Sequence, residues 1–190
     1  PEKKYEDAQN TTFFFSGGKS RNKNYYNVMK TYIELKKEFT NIKLIIAGTN
    51  NVVEFENELK KENIIIGKDI ILIESIPHNE MHKYLNKADV ILLPSYRETF
   101  GNILIEGMAC EKAIITSNNT GMKEVAQGIG ILVNPNNKNE LIEACTKFIK
   151  NKELVKIFGK KGRKKVLEKF TLKKTVNNYL KVFENLMWLY

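Results

Sequence analysis

The sequence predicts an α/β fold in which a doubly wound sheet of six parallel strands is covered by helices on both faces. Two observations carry this prediction. Strand-like and helix-like segments alternate along the chain from about residue 12 onward, and most of the strand-like segments are apolar without interruption. A strand has a continuous apolar run when both of its faces are buried, as they are in a parallel sheet between two helical layers.

The six predicted strands are short apolar segments, several of which end at a glycine or a proline. The first is stopped by Gly17-Gly18, the second by Gly48 and the last by Pro135. Both residue types interrupt regular strand pairing. The strands are predicted at 12–16, 43–47, 69–73, 90–93, 113–116 and 130–133.

Helices are predicted between the strands, and additional helices follow the last strand. In the clearest case Val28, Tyr32, Leu35 and Phe39 recur on one face of a helical period. The predicted helices span 24–39, 52–61, 79–87, a stretch ending near 110, 121–126, 139–149, 152–170 and 172–187.

Length and composition allow one domain with a sizeable core or two small ones. The chain has 190 residues, of which 42% are hydrophobic, enough for a sizeable core. No run approaches the roughly 20 apolar residues that would span a bilayer. The chain starts at Pro1 without a signal-like stretch, and its two cysteines suit a reducing cytosol, so we expect a cytoplasmic piece of a longer protein. We assign 1–12 to a linker and 13–190 to the domain.

The net charge of +9 is concentrated near the C-terminus. Residues 147–181 hold thirteen Lys and Arg against two Glu, a balance of +11, which leaves about −2 for the remainder. The segment is either a solvated helical face or a surface attracted to anionic lipid. We expect no nucleic-acid partner, because neither aromatic residues interleaved with the charges nor a known nucleic-acid motif supports one.

The most informative segment holds two glutamates eight positions apart, Glu98 and Glu106. It follows the fourth strand, so Glu98 is predicted in a strand-to-helix loop and Glu106 one turn inside the helix. Gly101 between them allows a ligand to approach the backbone closely. A helix start is a natural seat for a phosphate, and a carboxylate just inside it suits sugar hydroxyls. The pattern therefore indicates a nucleotide-sugar.

Glycines and cations follow the first strand, at the same predicted edge of the sheet. A helix start and cations at one rim both favour an anion between them. The spacing lacks the G-x-G-x-x-G pattern, so no nicotinamide or flavin site is predicted. The residues concerned are Gly17, Gly18, Lys19, Arg21 and Lys23.

Four blocks of the sequence resemble the C-terminal half of GT-B retaining glycosyltransferases of the family four, or group 1, type. They are Gly17-Gly18 with Lys23-Asn24, the segment from Glu98 to Glu106, 121–125 and 128–133. The resemblance runs from about Phe13 to the end of the chain. It implies a Rossmann-like donor-binding domain, paired in the full enzyme with an N-terminal acceptor domain that this chain lacks.

The resemblance also implies the activity. The full enzyme would transfer a sugar, of hexosyl type, from a nucleotide diphosphate sugar to a saccharide or lipid-linked saccharide with retention at the anomeric carbon. The Asn- and Lys-rich composition fits a bacterial source, and with the basic helices it suggests synthesis of cell-surface polysaccharide or lipopolysaccharide at the inner face of the plasma membrane. We expect the isolated domain to be inactive.

Family roles carry over residue by residue. Lys23 would grip the diphosphate, Glu106 would hold the ribose, and Glu98 would contact the donor sugar near its reacting face, so that Lys23 and Glu98 are the catalytic candidates. Ile76, after the third strand, would line the base pocket. The remaining implied binding residues are Gly17, Gly18, Phe100, Gly101, Asn102, Ile103 and Leu104, the last four through their amides.

The family commonly has Arg where this chain has Gly18, and either Lys19 or Arg21 could supply the missing charge. No Asp-x-Asp metal clamp is present, so we predict no cofactor and no required metal. His78 and His82 have a possible metal spacing without an evident third ligand, and surface histidines are the favoured interpretation.

Three matters stay open at this level. A GT-B nucleotide-sugar epimerase and a non-catalytic doubly wound binding module are the alternative functions, since a fold alone does not determine activity. UDP, GDP and ADP are equally compatible with the sequence. The apolar tail, which ends in Trp188, Leu189 and Tyr190, packs either on this domain or on the N-terminal one.

Overall fold

A computed structural model, which describes residues 10–187, contains one sheet of six parallel strands flanked by helices. Every predicted strand is present, with bounds that differ by one residue at most. The strands are β1 (Thr11–Ser16), β2 (Ile42–Ala47), β3 (Ile70–Ile73), β4 (Val90–Leu93), β5 (Ala113–Ser117) and β6 (Ile131–Val133). The sheet order β3-β2-β1-β4-β5-β6 confirms the doubly wound fold class.

The helices also match the prediction, with two differences in detail. The segments predicted at 52–61 and 79–87 each begin with a 3₁₀ turn, Val53–Phe55 and His78–Glu80. Neither turn has a side-chain cap, and 3₁₀ turns are frequent at such helix ends. The α-helices are α1 (Tyr25–Glu38), α2 (Glu56–Lys61), α3 (Met81–Asn86), α4 (Asn102–Ala109), α5 (Thr120–Ala126), α6 (Lys138–Lys150), α7 (Lys152–Lys169) and α8 (Leu172–Met187).

The core lies in two layers, one on each face of the sheet. Phe13 and Phe15 of β1 pack into the layer that contains α1 and α6, whereas Phe14 packs into the layer that contains α4 and α5. All three rings are 0–1% exposed. Alternate residues of a strand point to opposite faces, so a strand buried on both sides must be apolar throughout.

The chain reverses its winding between β1 and β4, which lie side by side at the centre of the sheet. Phe14 pairs with Ile91 across this boundary. From β1 the sheet continues through β2 and β3, and from β4 it continues through β5 and β6. The loops that follow β1 and β4 therefore diverge and leave a crevice at the carboxyl ends of these two strands. Ligands usually bind at this position in such sheets.

The two ends of the chain bear on the predicted linker and on the predicted packing of the tail. Of the linker predicted at 1–12, residues 1–9 lie outside the described residues, and Thr11 and Thr12 already belong to β1. The apolar side chains of α8 that the structure describes, including Tyr179 and Phe183, are exposed rather than packed on this domain. Trp188, Leu189 and Tyr190 lie outside the described residues. Between residues 10 and 187, no helix has both the length and the apolar character needed to cross a membrane.

Candidate functional site

A cleft of about 610 Å³ opens at the boundary between β1 and β4. It brings together eight residues that the sequence predicts for the site: Gly17, Gly18, Lys23, Ile76, Glu98, Gly101, Asn102 and Ile103. Loops after β1, β3 and β4 supply them, because parallel strands present their carboxyl ends at one edge of the sheet.

Lys23 and Glu98 face each other in this cleft. The Lys23 Nζ donates a hydrogen bond to Glu98 Oε2 and forms an ion pair with it. Their side chains are 31% and 17% exposed. Partial burial lowers the pKa of Lys23 below its ordinary value. The pair holds a cation at the cleft and gives it a partner that an anionic ligand could replace.

The N-terminus of α4 forms one wall of the cleft. Gly101 caps it with a left-handed backbone, at φ 71° and ψ 60°, a conformation that glycine adopts without strain. The Leu104 N–H donates to the Gly101 carbonyl at 2.8 Å, so that amide already has an acceptor, and its side chain is fully buried. Asn102 and Ile103 head the helix within the cleft, where first-turn amides have no acceptor inside the helix.

The two glycines after β1 press against the loop after β2. The amides of Gly17 and Gly18 donate to the Ala47 carbonyl, at 3.2 and 2.9 Å. Gly18 has φ +50°, and a Cβ on it would stand 2.3 Å from the Gly48 carbonyl oxygen. No side chain fits at position 18 with this backbone, so the Arg of the family could not be accommodated here. The two glycines therefore allow the loops after β1 and β2 to approach each other closely, and their amides are already bonded to Ala47.

Of the two cations considered as replacements for that Arg, only Lys19 lines the cleft. Its Nζ donates to Asn51 Oδ1 at 2.5 Å and to Glu54 Oε2 at 2.8 Å. Arg21 lines a neighbouring cleft instead. Of the two cations, Lys19 is therefore the one that shares the cleft with Lys23.

Three predicted residues lie outside the cleft lining. Besides Leu104, Phe100 is 41% exposed and packs edge-on against Phe170, with ring centroids 5.8 Å apart. Glu106 lies one turn inside α4, where its Oε1 is 3.9 Å from Nδ1 of the exposed His78. Burial raises the pKa of Glu106, and a charged His78 would lower it.

Several residues of the cleft were not among the predicted site residues. Gly48 follows β2, while Glu74 and Ser75 follow β3. The rule that ligands meet the carboxyl ends of parallel strands could have identified these three. Met81 also lines the cleft from the start of α3, and no sequence pattern marks it.

Asn24 fixes the loops that carry the Lys23–Glu98 pair. It is 3% exposed and adopts φ 65° at the start of α1. Its Nδ2 donates to the carbonyls of Pro94, at 3.0 Å, and Pro135, at 2.8 Å, which lie after β4 and β6. Tyr96 also donates its N–H to the Asn22 carbonyl at 2.8 Å. These bonds hold the loops after β1 and β4 in fixed relative positions.

Within residues 10–187, no three His, Cys, Asp or Glu side chains lie close enough to hold a metal ion. His78 and His82 accordingly belong to no such group. Metal independence of the activity stays a prediction.

Comparison with known proteins identifies the family. The model of the glycosyl transferases group 1 family matches residues 1–165. A capsular polysaccharide biosynthesis glycosyltransferase, CapM of Staphylococcus aureus, is 27% identical over 96% of this chain and 50% of its own length. The chain spans about half the length of this and other curated relatives that it matches.

Solved structures show the same fold. Sucrose-phosphate synthase from Thermosynechococcus elongatus superposes with a TM-score of 0.81 and 22% identity, over 96% of this chain and 47% of that one. HepE from Anabaena, in complex with UDP-glucose, superposes with a TM-score of 0.78 and 14% identity, over 94% and 50%. The domain is Rossmann-like and corresponds to one half of a GT-B glycosyltransferase. With the family model matching most of its length, the chain belongs to the group 1 glycosyl transferases.

Proposed function

We propose that this domain binds the nucleotide diphosphate sugar donor of a retaining glycosyltransferase, with the diphosphate between Lys23 and the first amides of α4. One observation carries the proposal: the Lys23–Glu98 ion pair lies in the same cleft as Asn102 and Ile103 at the start of that helix. An ammonium group and helix amides are the donors that proteins use to hold phosphate.

Donor binding would rearrange the ion pair. The diphosphate replaces Glu98 as the partner of Lys23, and the carboxylate is then available to accept hydrogen bonds from the hydroxyls of the donor sugar. Lys19 adds a second cation at the rim, held there by Asn51 and Glu54.

The chemistry is stabilisation of separating charge. As the bond between the sugar and the phosphate breaks, negative charge develops on the nucleoside diphosphate and the sugar becomes cation-like. Lys23 and the amides of Asn102 and Ile103 stabilise the first charge, and Glu98 faces the second. Removing one such fixed donor typically costs about 3 kcal/mol of barrier stabilisation.

The nucleoside would occupy the side of the cleft formed by Ile76 and Met81. Both side chains are partly buried and pack against the layer that contains α4, so they offer an apolar surface to a base. Glu106 would accept the ribose hydroxyls from inside α4. Because HepE was solved in complex with UDP-glucose, UDP is the first nucleotide to test.

For the whole protein we propose hexosyl transfer to a saccharide or lipid-linked saccharide in polysaccharide synthesis, in the cytoplasm of a bacterium at the inner face of the plasma membrane. The similarity to CapM supports the pathway class. The exposed basic face of α7 supports a contact with anionic lipid. A separate acceptor domain would complete the active site, so this domain alone would catalyse little transfer.

Calorimetric titration of the chain with UDP, GDP and ADP, and with the corresponding sugar nucleotides, tests the proposal. One nucleoside diphosphate should bind, and Lys23→Met should weaken that binding about tenfold or more. Absence of binding by all of them would contradict the donor-site assignment. Retention is tested in the complete protein, by following the anomeric configuration of the product with NMR.

A further inference from the structure

A second cleft, of about 670 Å³, lies beside the donor cleft. Its lining is polar and cationic: Arg21 and Asn22 from the loop after β1, Tyr26 from α1, Tyr96 and Arg97 from the loop after β4, and Asn136 from the loop after β6. The two clefts share no lining residue.

The loops that carry Lys23 and Glu98 contribute residues to both clefts. In the loop after β1, Lys23 lines the donor cleft and its neighbour Asn22 lines the second cleft. In the loop after β4, Glu98 lines the donor cleft and its neighbour Arg97 lines the second cleft. The second cleft therefore adjoins the loop that carries the acid proposed to face the donor sugar. A molecule that approaches the donor sugar from this side would extend into it.

The charges of the second cleft suit an anion. Arg21 and Arg97 are both exposed, and neither has an ion-pair partner among residues 10–187. No carboxylate lines the cleft. A guanidinium presents paired N–H donors that match the two oxygens of a phosphate or carboxylate.

The remaining side chains suit a sugar. The Tyr26 ring is held by packing against Tyr25 and Phe55, with ring centroids 5.6 and 5.5 Å apart. The Tyr96 hydroxyl accepts a hydrogen bond from Asn27 Nδ2 at 3.2 Å. Fixed aromatic faces beside amide and hydroxyl groups offer both apolar and hydrogen-bonding contacts to a saccharide.

We propose that the second cleft binds an anionic group carried by the saccharide acceptor, with Arg21 and Arg97 as its ligands. This inference rests on the proposed function, because it takes the donor sugar to lie at Glu98. The anion is either a phosphate that links the saccharide to a carrier or the carboxylate of an acidic sugar. Both present oxygens to the same pair of guanidinium groups.

Three probes separate charge from sugar shape: methyl α-glucoside, its 6-phosphate and the corresponding methyl glucuronide. Each is titrated into the chain with and without saturating UDP, and the backbone amide NMR shifts of the two cleft linings are followed. The phosphate or the glucuronide should bind at least about tenfold more tightly than the neutral glycoside. Its affinity should not change when UDP is present, and the tighter of the two probes identifies the source of the anion.

Arg21→Gln/Arg97→Gln is the matching variant, and both side chains are exposed, so folding is not at stake. It should weaken binding of the anionic probe about tenfold or more and leave UDP binding within about twofold. The variant Lys30→Gln/Lys68→Gln changes two exposed cations outside both clefts and controls for the loss of two positive charges.

The proposal is overturned if no anionic probe binds, if UDP displaces it, if the neutral glycoside binds equally well, or if the arginine variant binds like the wild type. The titration with UDP alone is a separate measurement. Its failure would contradict the donor site while the probe titrations still measure the affinity of the second cleft.

Discussion

Lys23 and Glu98, which are 75 positions apart in the chain, form an ion pair across the boundary between β1 and β4. The loop after β1 carries the cation and the loop after β4 carries the acid. In the absence of a ligand each neutralises the other. An anionic ligand of Lys23 must therefore compete with a carboxylate that is already in place, which makes the two residues act oppositely on diphosphate binding.

We expect Lys23→Met and Glu98→Gln to change nucleoside diphosphate affinity in opposite directions. Lys23→Met removes a charged donor and should weaken binding about tenfold or more. Glu98→Gln releases Lys23 and removes a nearby negative charge, so it should bind the nucleoside diphosphate more tightly. Because the amide has one acceptor oxygen instead of two and no charge, it accepts hydrogen bonds from the sugar hydroxyls less strongly, and the preference for the sugar nucleotide over the nucleoside diphosphate should fall.

Calorimetry measures both affinities, and Lys30→Met on α1 controls for net charge. Thermal melting of each variant checks that the fold is intact. If Glu98→Gln weakened nucleoside diphosphate binding as much as Lys23→Met does, the exchange of partners would be wrong.

Glu106→Gln should stabilise the fold while it harms nucleoside recognition. Burial raises the pKa of this carboxyl above its ordinary value of 4.5, so the folded state holds its proton more tightly than the unfolded state. Stability then falls as the pH rises from the unfolded-state pKa through the raised folded-state pKa. The variant should melt at a higher temperature than the wild type at pH 7, and the gain should shrink as the pH is lowered through this range.

Melting curves recorded across the pH series test the stability effect, with Glu143→Gln, an exposed acid of α6, as the control. The binding effect is tested by comparing UDP with inorganic diphosphate. Loss of a ribose contact should weaken UDP and leave diphosphate unchanged. Equal losses for the two ligands would place the role of Glu106 elsewhere than the ribose.

Gly18→Ala should destabilise the domain more than Gly67→Ala does. Both glycines have positive φ, +50° and +90°. A Cβ at position 18 would stand 2.3 Å from the Gly48 carbonyl oxygen, whereas a Cβ at position 67 would meet nothing within 4 Å. The difference isolates the overlap, for which we expect about 2 kcal/mol. Urea denaturation of the two variants measures it, and equal free energies of unfolding would show that the two loops can separate without loss.

Lys160→Gln/Lys161→Gln should weaken binding to anionic vesicles. Both side chains are exposed on α7, within the segment that carries most of the positive charge. Each lysine near a charged bilayer contributes about 1 kcal/mol, so the pair should account for about tenfold or more. Sedimentation with vesicles of phosphatidylserine and phosphatidylcholine measures the partition, and Lys30→Gln/Lys68→Gln is the control. If the two variants bound the vesicles equally, the basic face of α7 would be a solvated face and not a lipid contact.

Nucleoside diphosphate binding should not depend on a divalent ion. Lys23, with Lys19 at the rim and the amides of α4, supplies positive charge from the protein itself. Titrations in EDTA and in magnesium should give the same affinity. A large gain in magnesium would mean that the ion completes the site.

The strands and helices could be predicted closely because each depends on local pattern. Phe13, Phe14 and Phe15 in succession indicate a strand that is buried on both sides, and that alone places β1 inside the sheet. The cleft could be predicted in part for the same reason, since its residues follow strands. That Lys19 lines the donor cleft and Arg21 does not could not be predicted, because the two residues lie in the same short loop. Only the direction in which this loop turns after Gly18 separates them.

The sequence by itself determined the elements, their order and the family, since apolar periodicity, glycine positions and the paired glutamates are local features. Only the tertiary structure decided that Lys23 pairs with Glu98, that Gly18 meets Gly48, and that Arg21 faces a different cleft from Lys19. These relationships depend on how loops far apart in the chain meet at one edge of the sheet. Side-chain spacing along the chain carries no information about such distances until the strands have paired.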